Sequence, residues 1–250
     1  MTDIHTHILP GIDDGATDIE TAKKMLETEY AQGVKTVVFT PHYYSKKSPL
    51  QFLKQRQEAF DSIKEFIPES VNARLGVEVH FSGVVMPSPE TLERFAIEGT
   101  HYVLFEFPFT EAWHPELLER MLDLVSETDC LPIIAHAERY WAFQKKPEYI
   151  STLVERGCLI QVNTQSFSDR YEKKFAYALL KHGLIHCIAS DAHDTDLRSP
   201  NLLNFEKKML KEGYQAEWEK IKETTARILA GEYVQPLVGK PIRKIFGFYK

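Results

Sequence analysis

Cysteine is scarce in this chain, which has 250 residues and three cysteines, Cys130, Cys158 and Cys187. Their number is odd and no two are close in sequence, so we predict neither a disulfide framework nor a cysteine-based zinc site. Cys158 and Cys187 lie in apolar stretches typical of strands. We therefore expect reduced, buried thiols in a cytoplasmic protein.

The sequence also lacks long apolar runs and an excess of positive charge. No run approaches the roughly 18 apolar residues that a membrane span needs. Asp3, His5 and His7 interrupt the first apolar stretch, so we expect no signal peptide. The formal net charge is −6, which provides no general attraction for nucleic acid. These features predict a protein with neither a membrane span nor a nucleic-acid partner.

Short apolar segments rich in β-branched residues recur along the chain and predict seven strands. They lie at residues 3–8, 36–40, 73–79, 102–107, 131–135, 158–162 and 185–189. Amphipathic helical stretches separate most of them, and Thr17 and Glu20 have capping-box spacing at the start of the first. This alternation predicts a parallel sheet with helices outside, either closed as a barrel or open and doubly wound.

We expect residues 1–250 to form a single domain. Its last residues, 239–250, mix cations with aromatic side chains. We expect this tail either to pack on the domain surface or to contact a membrane surface or a partner protein.

Side chains that bind metals recur at the carboxyl ends of the predicted strands. The nine candidates are His5, His7, Asp14, His42, Glu78, Glu106, His136, Asp191 and His193. Functional sites gather at this end of parallel α/β folds, so we expect all nine to converge. Glu78 and Glu106 lie within apolar strands, where an unpaired carboxylate would cost several kcal/mol. A bound metal ion removes that cost.

Imidazole and carboxylate ligands without cysteine are typical of a catalytic site for Mn²⁺, Fe or Zn²⁺. Nine ligands are too many for one ion, so we predict two or three divalent ions. Arg139 follows His136 by three residues, and Arg198 follows His193 by five. A guanidinium group matches phosphate oxygens in a bidentate manner. We therefore predict that both arginines bind phosphate beside the ions.

Seven motifs in combination resemble the polymerase-and-histidinol-phosphatase (PHP) family. They are HTH at 5–7, DDG at 13–15, TPH at 40–42, GVEV at 76–79, FEFP at 105–108, AHAER at 135–139 and ASDAH at 189–193. Within that family, the chain resembles the bacterial tyrosine-protein phosphatases found with capsule and exopolysaccharide genes.

The resemblance implies a distorted TIM-like barrel of seven β/α units that holds three metal ions. Carried over by motif, His5, His7 and Asp191 bind one ion, Glu106 and His136 a second, Asp14, His42 and His193 a third, and Glu78 bridges. The implied activity is hydrolysis of phosphotyrosine on a protein, namely the tail of a bacterial tyrosine kinase that controls polysaccharide synthesis. His80 departs from this pattern, since no family ligand is expected there.

Four other functions or mechanisms are alternatives to the metal-dependent hydrolysis of phosphotyrosine. A small-metabolite phosphatase of the histidinol-phosphatase type would use the same ions and stays open. The net charge disfavours a nuclease, and the full ligand set with both arginines disfavours a binding module without turnover. A thiol phosphatase is excluded, because it needs an arginine six residues after its cysteine. Those positions hold His136, Thr164 and His193.

Five aromatic residues are candidates for stacking on a phenolic ring at the site mouth, with packing in the core or on the surface as the alternative. They are Tyr43, Tyr44, Phe81, Phe109 and Trp113.

Overall fold

The structure is a computed structural model that describes residues 1–44, 47–82, 86–109, 114–236, 239–245 and 247–250. The strands are β1 Thr2–Thr6, β2 Thr36–Phe39, β3 His42–Tyr43, β4 Asn72–Leu75, β5 Glu78–His80, β6 Tyr102–Glu106, β7 Leu131–Ile134, β8 Leu159–Asn163, β9 Cys187–Ala189, β10 Lys244–Ile245 and β11 Phe248–Tyr249. The helices are α1 Ile19–Ala31, α2 Pro49–Asp61, α3 Pro89–Phe95, α4 Pro115–Ser126, α5 Trp141–Lys145, α6 Glu148–Glu155, α7 Lys173–Lys181, α8 Leu202–Lys211 and α9 Gln215–Leu229.

The first nine strands form two parallel sheets that together close a distorted barrel. One sheet has the order β1-β2-β4 and the other β3-β5-β6-β7-β8-β9. A parallel bridge between Thr6 and Ala192 joins β1 to the chain beyond β9. All seven predicted strands are present. The third is divided into β4 and β5, and β3 follows the predicted end of the second. The prediction of a TIM-like barrel with seven strand positions is confirmed.

An extra residue in β1 shapes the barrel at its first strand. The register of β1 against β2 shifts by one residue between Asp3 and Thr6, which is a β-bulge. As a result, both Ile4 and His5 turn toward the barrel interior. Ile4 packs with Leu104 and other apolar side chains inside the barrel, while His5 contacts the polar groups above them.

The barrel interior consists of an apolar layer beneath a polar one. Leu104, Ile133 and Leu159 belong to the apolar cluster, which Ile228 and Leu229 of α9 close from below. Residues two positions further along a strand face the same way. Glu106 on β6 and Gln161 on β8 therefore lie directly above that cluster, at the carboxyl ends of the strands.

Helix α1 begins one residue later than the capping-box spacing predicts. Its N-cap is Asp18, whose Oδ1 accepts a hydrogen bond from the backbone N–H of Thr21 at 2.8 Å. Thr17 instead donates its hydroxyl to Asp18. The carboxylate satisfies the free backbone donor that the predicted Thr17 cap would have satisfied.

The end of the chain folds back as a short antiparallel hairpin, β10–β11. It packs on α7, where the ring of Tyr249 lies 5.1 Å from that of Phe175 and Ile242 is fully buried. Lys244 Nζ and the Tyr249 hydroxyl both donate to the carbonyl oxygen of Gln144, at 2.9 and 3.0 Å. The hairpin is therefore attached to α5 as well as to α7. Among the described helices, none combines the length and apolar character that crossing a bilayer requires.

A buried histidine of the barrel wall gives the folded state a defined pH dependence. His186 is fully buried, and its Nδ1 accepts a hydrogen bond from the backbone N–H of Ile160 at 3.0 Å. Burial lowers the pKa of His186 to about 4. Between pH 6.5 and 4, His186 is protonated in the unfolded chain but stays neutral in the folded chain. The free energy of unfolding therefore decreases as the pH falls from 6.5 toward 4.

We expect His186→Asn, which keeps a side-chain acceptor but does not titrate, to remove this dependence. Urea unfolding of metal-free protein between pH 4.5 and 8 should show that the native chain loses about 3 kcal/mol more than the variant at the acidic end. His101→Asn, at an exposed position, should leave the native slope unchanged. Parallel curves for native protein and His186→Asn would contradict the assignment.

Candidate metal centre

His5 and His7 lie at the carboxyl end of β1, and their side chains meet, as predicted from their spacing. Their Nε2 atoms are 3.1 Å apart and both rings are fully buried. The same two atoms lie 3.1 and 3.2 Å from Glu78 Oε2. They also lie 3.6 and 3.4 Å from Asp191 Oδ1. Four potential ligand atoms from three strand ends thus surround one point.

Glu78 lies at the centre of the cluster. Its carboxylate is fully buried on β5. Besides the two histidines of β1, it faces His136 Nε2 at 2.8 Å through Oε1 and His42 Nδ1 at 3.0 Å through Oε2. One carboxylate therefore faces four imidazoles, which is the environment expected of a ligand shared between ions.

Asp191 links the cluster to the two arginines. Its Oδ1 lies 3.4 Å from His193 Nδ1. Its Oδ2 accepts from Arg198 Nη2 at 2.8 Å and from Arg139 Nη1 at 3.5 Å. Asn163 Nδ2 donates to the same oxygen at 2.7 Å. One face of this carboxylate is thus turned to imidazoles and the other to cations.

A second group lies closer to solvent. Asp14 Oδ1 is 3.5 Å from both His42 Nε2 and His193 Nε2. The ring of His7 stacks on that of His193 with centroids 3.9 Å apart. The Asp14 side chain is 63 % exposed, so this group forms the open mouth of the centre.

Glu106 completes the opposite side, together with a histidine outside the predicted ligand set. Glu106 Oε1 lies 3.6 Å from His136 Nε2, and its Oε2 lies 3.9 Å from His42 Nδ1. His80 Nδ1 is 2.7 Å from Glu106 Oε2. His80 therefore borders the centre by contacting one of the nine candidates.

Three overlapping groups bring their ligand atoms within 4.8 Å of one another. They are His7, Asp14, His42 and His193; His5, His7 and Glu78; and His42, Glu78 and Glu106. Glu78 Oε2, His42 Nδ1 and His193 Nε2 are buried and make no hydrogen bond of good geometry to the described part of the chain. Divalent cations would satisfy these atoms, so the donor set fits two or three ions.

Two of the candidate ligands have left-handed backbone conformations. His136 has φ 33° and ψ 51°, and Asp191 has φ 52°. Such conformations cost non-glycine residues about 1–3 kcal/mol and concentrate at functional sites. The backbone N–H of His136 donates to Gln161 Oε1 at 2.7 Å, and that of Asp191 donates to the His5 carbonyl at 3.0 Å. These bonds hold both side chains toward the centre.

Three residues that support the ligands were missed in the sequence. Asp13 Oδ2 lies 2.7 Å from His7 Nδ1 and accepts from the backbone N–H of His42 at 3.0 Å. Gln161 Oε1 lies 3.1 Å from His5 Nδ1. Since these oxygens accept hydrogen bonds, each Nδ1 carries a proton, which leaves Nε2 as the atom available to an ion.

The third is Asn163, which holds Asp191 as described above. Gln161 and Asn163 occupy alternate positions of a buried strand. Polar residues at alternate positions of an otherwise apolar strand point to the same face. This pattern could have indicated that Gln161 and Asn163 face the site.

The electrostatics of the centre match a site built for cations. Burial raises the pKa of Glu78, yet the charges of His5 and His42 outweigh it and hold that pKa well below its usual range. Burial lowers the pKa of His7, but Asp13 outweighs it and raises that pKa well above normal. Without ions, His7 therefore retains a proton beside the ionised Glu78. Metal binding would release that proton, so affinity should increase with pH.

The centre opens into a pocket of about 230 Å³ between Tyr44 and Phe109. Tyr44 is 38 % exposed and lies beside His42, whereas Phe109 is 49 % exposed and stacks on Tyr140. For Tyr43 and Phe81, the alternative of packing in the core holds. Tyr43 points away from its neighbour His42 and packs in the core, as does Phe81 on Phe105. Trp113 lies outside the described residues.

A larger polar cleft of about 450 Å³ adjoins this pocket. It shares Arg139, Asp191 and Arg198 with the pocket and extends to α8, where Lys208 lines it. The two arginines therefore stand on the border between the metal centre and a cleft that can accept a longer molecule.

The chain is similar to known proteins over most of its length. Residues 1–229 match the family described as "Capsular polysaccharide synthesis, CpsB/CapC". Tyrosine-protein phosphatase YwqE of Bacillus subtilis is 29 % identical, with 100 % of both chains covered. Tyrosine-protein phosphatase CpsB of Streptococcus pneumoniae is 29 % identical, covering 80 % of this chain and 86 % of that protein.

Solved structures agree with these relatives. One solved structure comes from work on YwqE and CpsB, which are described there as unique metal-dependent tyrosine phosphatases. It has a TM-score of 0.81 to this chain at 29 % identity. It covers 97 % of this chain and 100 % of that chain. The phosphotriesterase homology protein of Escherichia coli shares the fold, with a TM-score of 0.55 at 13 % identity over 92 % of this chain and 97 % of that one.

Because Asp13 orients His7 without belonging to any of the three ligand groups, we expect Asp13→Asn to weaken metal binding while leaving every proposed ligand in place. Loss of such an outer hydrogen bond typically lowers metal affinity about 10- to 100-fold. Isothermal titration of metal-free protein with Mn²⁺ measures the change. Asp18→Asn, which retains a side-chain acceptor at the cap of α1, is the matched control and should bind Mn²⁺ as the native protein does. Unchanged affinity in Asp13→Asn would contradict this role.

Proposed function

Since the chain belongs to the CpsB/CapC family of capsular polysaccharide synthesis, we propose that it is a metal-dependent phosphatase that hydrolyses phosphotyrosine in proteins. The observation that carries the proposal is the convergence of three ligand groups and two arginines on one pocket. Relatives of the chain are named tyrosine-protein phosphatases, which selects this chemistry among the phosphoesterases. We further propose that residues 1–250 act as a single phosphatase domain.

We propose that the nine candidate residues hold three divalent ions, most favourably Mn²⁺. Their atoms are nitrogen and carboxylate oxygen, which suit Mn²⁺, Fe and Zn²⁺ alike. The ions would polarise the phosphoryl group and supply hydroxide at neutral pH. The fully buried Glu78, which faces four imidazoles, is the proposed bridge between ions.

Arg139 and Arg198 bind the phosphate oxygens in this proposal. Both guanidinium groups reach Asp191 Oδ2 and line the pocket beside the ligand groups. Phosphoryl transfer spreads negative charge over the equatorial oxygens, and fixed cations stabilise that charge. The Arg139 guanidinium also lies 4.8 Å from the centre of the Phe109 ring, a cation–π contact that fixes its position.

Tyr44 and Phe109 select an aromatic ester. Their half-exposed rings flank the pocket, so a phenyl ring attached to the phosphate can stack against them. A phenol leaves with a pKa of about 10, which reduces the need for a strong general acid. The adjoining polar cleft accommodates the peptide on either side of the phosphotyrosine.

We propose that the protein substrate is the tyrosine-rich tail of a kinase that belongs to the capsule or exopolysaccharide machinery. We also propose that the phosphatase acts in the cytoplasm. The three cysteines are free and buried, which suits a reducing compartment. Burial raises the pKa of each thiol, to about 12 for Cys158, so none is a nucleophile at neutral pH.

The test compares metal removal with thiol modification. We expect chelation to abolish hydrolysis of a phosphotyrosyl peptide and Mn²⁺ to restore it, while iodoacetamide has no effect because the thiols are buried. Activity that survives chelation but is lost on alkylation would contradict the proposed chemistry. Steady-state rates of the Mn²⁺-loaded protein on histidinol phosphate provide the comparison for substrate class. A higher kcat/KM on histidinol phosphate than on the peptide would show that the substrate is a small metabolite and not a protein.

For the arginines, we expect Arg198→Ala to lower kcat/KM on para-nitrophenyl phosphate about 10²- to 10³-fold, as the loss of a charge-stabilising donor typically does. Its metal content should stay unchanged, because Asn163 and Arg139 still hold the same oxygen of Asp191. Arg198→Lys should recover only part of the rate, since lysine lacks the bidentate fork. Arg156→Ala removes an exposed arginine paired with Glu119 and serves as the control. Equal rates for Arg198→Ala and Arg156→Ala would show that Arg198 does not act on phosphate.

A further inference from the structure

The outer surface of α7 and the terminal hairpin together form a cationic face, here called the basic surface. Helix α7 contributes Lys173, Lys174 and Lys181, all exposed. The tail contributes the exposed Lys240, Arg243, Lys244 and Lys250. Seven exposed cations therefore lie on two elements that pack together, although the chain as a whole has a net charge of −6.

The two parts of the basic surface are in contact. A groove of about 480 Å³ runs between α7 and the hairpin. The backbone N–H of Lys240 donates to the His182 carbonyl at 3.0 Å, which attaches the start of the tail to the end of α7. Among the described residues, three carboxylates border these elements: Glu172 at the start of α7, Glu212, which is bonded to the Tyr177 hydroxyl, and Glu217, which lines the neighbouring groove with Lys240. Seven cations against these three carboxylates leave the surface positive.

Exposed apolar side chains lie on the same hairpin, and Phe248 lines the groove together with the three lysines of α7. Phe248 is 70 % exposed and Ile245 is 42 % exposed, both on the hairpin. Exposed apolar side chains ringed by lysine and arginine are typical of surfaces that insert shallowly into an anionic bilayer. The strands of the hairpin have two residues each, which is too short for a partner protein to add a strand to their edge.

We propose that the basic surface docks the protein on an anionic membrane. Phe248 and Ile245 enter the interface, and the cations of α7 and the tail contact lipid phosphates. The hairpin is bonded to Gln144 of α5, and α5 begins two residues after Arg139. Docking would therefore hold the arginine-lined pocket near the membrane, where tethered substrates reach high effective concentration. That last consequence rests on the proposed function, whereas the docking itself does not.

The test measures partition of the full chain onto vesicles by sedimentation, without an activity readout. We expect binding to phosphatidylcholine vesicles that contain about one third phosphatidylglycerol, weak binding to pure phosphatidylcholine, and loss of binding at high salt. Lys174→Gln with Lys181→Gln should weaken partition about thirtyfold, because each lysine near an anionic surface strengthens binding about five- to sixfold. Phe248→Ser should weaken it about tenfold by removing buried apolar area.

The matched control is Lys24→Gln with Lys54→Gln, which changes net charge equally at exposed positions of α1 and α2. It should partition as the native chain does, and every variant should keep its activity on para-nitrophenyl phosphate. Equal losses in the control and the α7 variant would overturn the proposal, because net charge alone would explain them. Absence of partition, or equal binding to neutral and anionic vesicles, would overturn it too. Binding of poly-glutamate without vesicle partition would make the partner an acidic protein instead.

Discussion

The buried negative charge of Glu78 is the constraint on which the rest of the site depends. A carboxylate removed from water costs several kcal/mol unless cations or donors surround it. Here the nitrogen atoms of four histidines lie within about 3.2 Å of its oxygens. Those histidines come from three different strand ends, since His5 and His7 both lie at the end of β1. The barrel must therefore close for the charge to be compensated. Folding and assembly of the metal centre are thus one physical problem.

The barrel supplies that closure through local departures from regular structure. The bulge in β1 turns His5 inward directly after Ile4, and left-handed backbone at His136 and Asp191 turns the chain at two further strand ends. Gly15 is required nearby, because a Cβ there would lie 2.0 Å from the His7 carbonyl oxygen. The surrounding hydrogen bonds offset the conformational free energy that these features cost, and so would the metal ions of the proposed centre.

Much of this arrangement could be predicted from sequence, because it follows from strand periodicity. Polar residues that end apolar strands must meet at one edge of a parallel sheet, and the nine candidates do so. The sequence could not reveal the bulge, since alternation continues on either side of it. The roles of Asp13 and Gln161 depend on contacts between distant segments. Tyr43 packs in the core because successive side chains of a strand point to opposite faces, and its neighbour His42 faces the centre.

The claim that this cluster is a centre for several ions, rather than a network of protonated histidines, can be tested directly. X-ray diffraction from Mn²⁺-loaded crystals, recorded on both sides of the manganese absorption edge, locates each ion independently of the protein atoms. We expect three anomalous peaks, each bounded by one of the three ligand groups, with Glu78 next to more than one of them. A single peak, or peaks outside these groups, would contradict a three-ion centre.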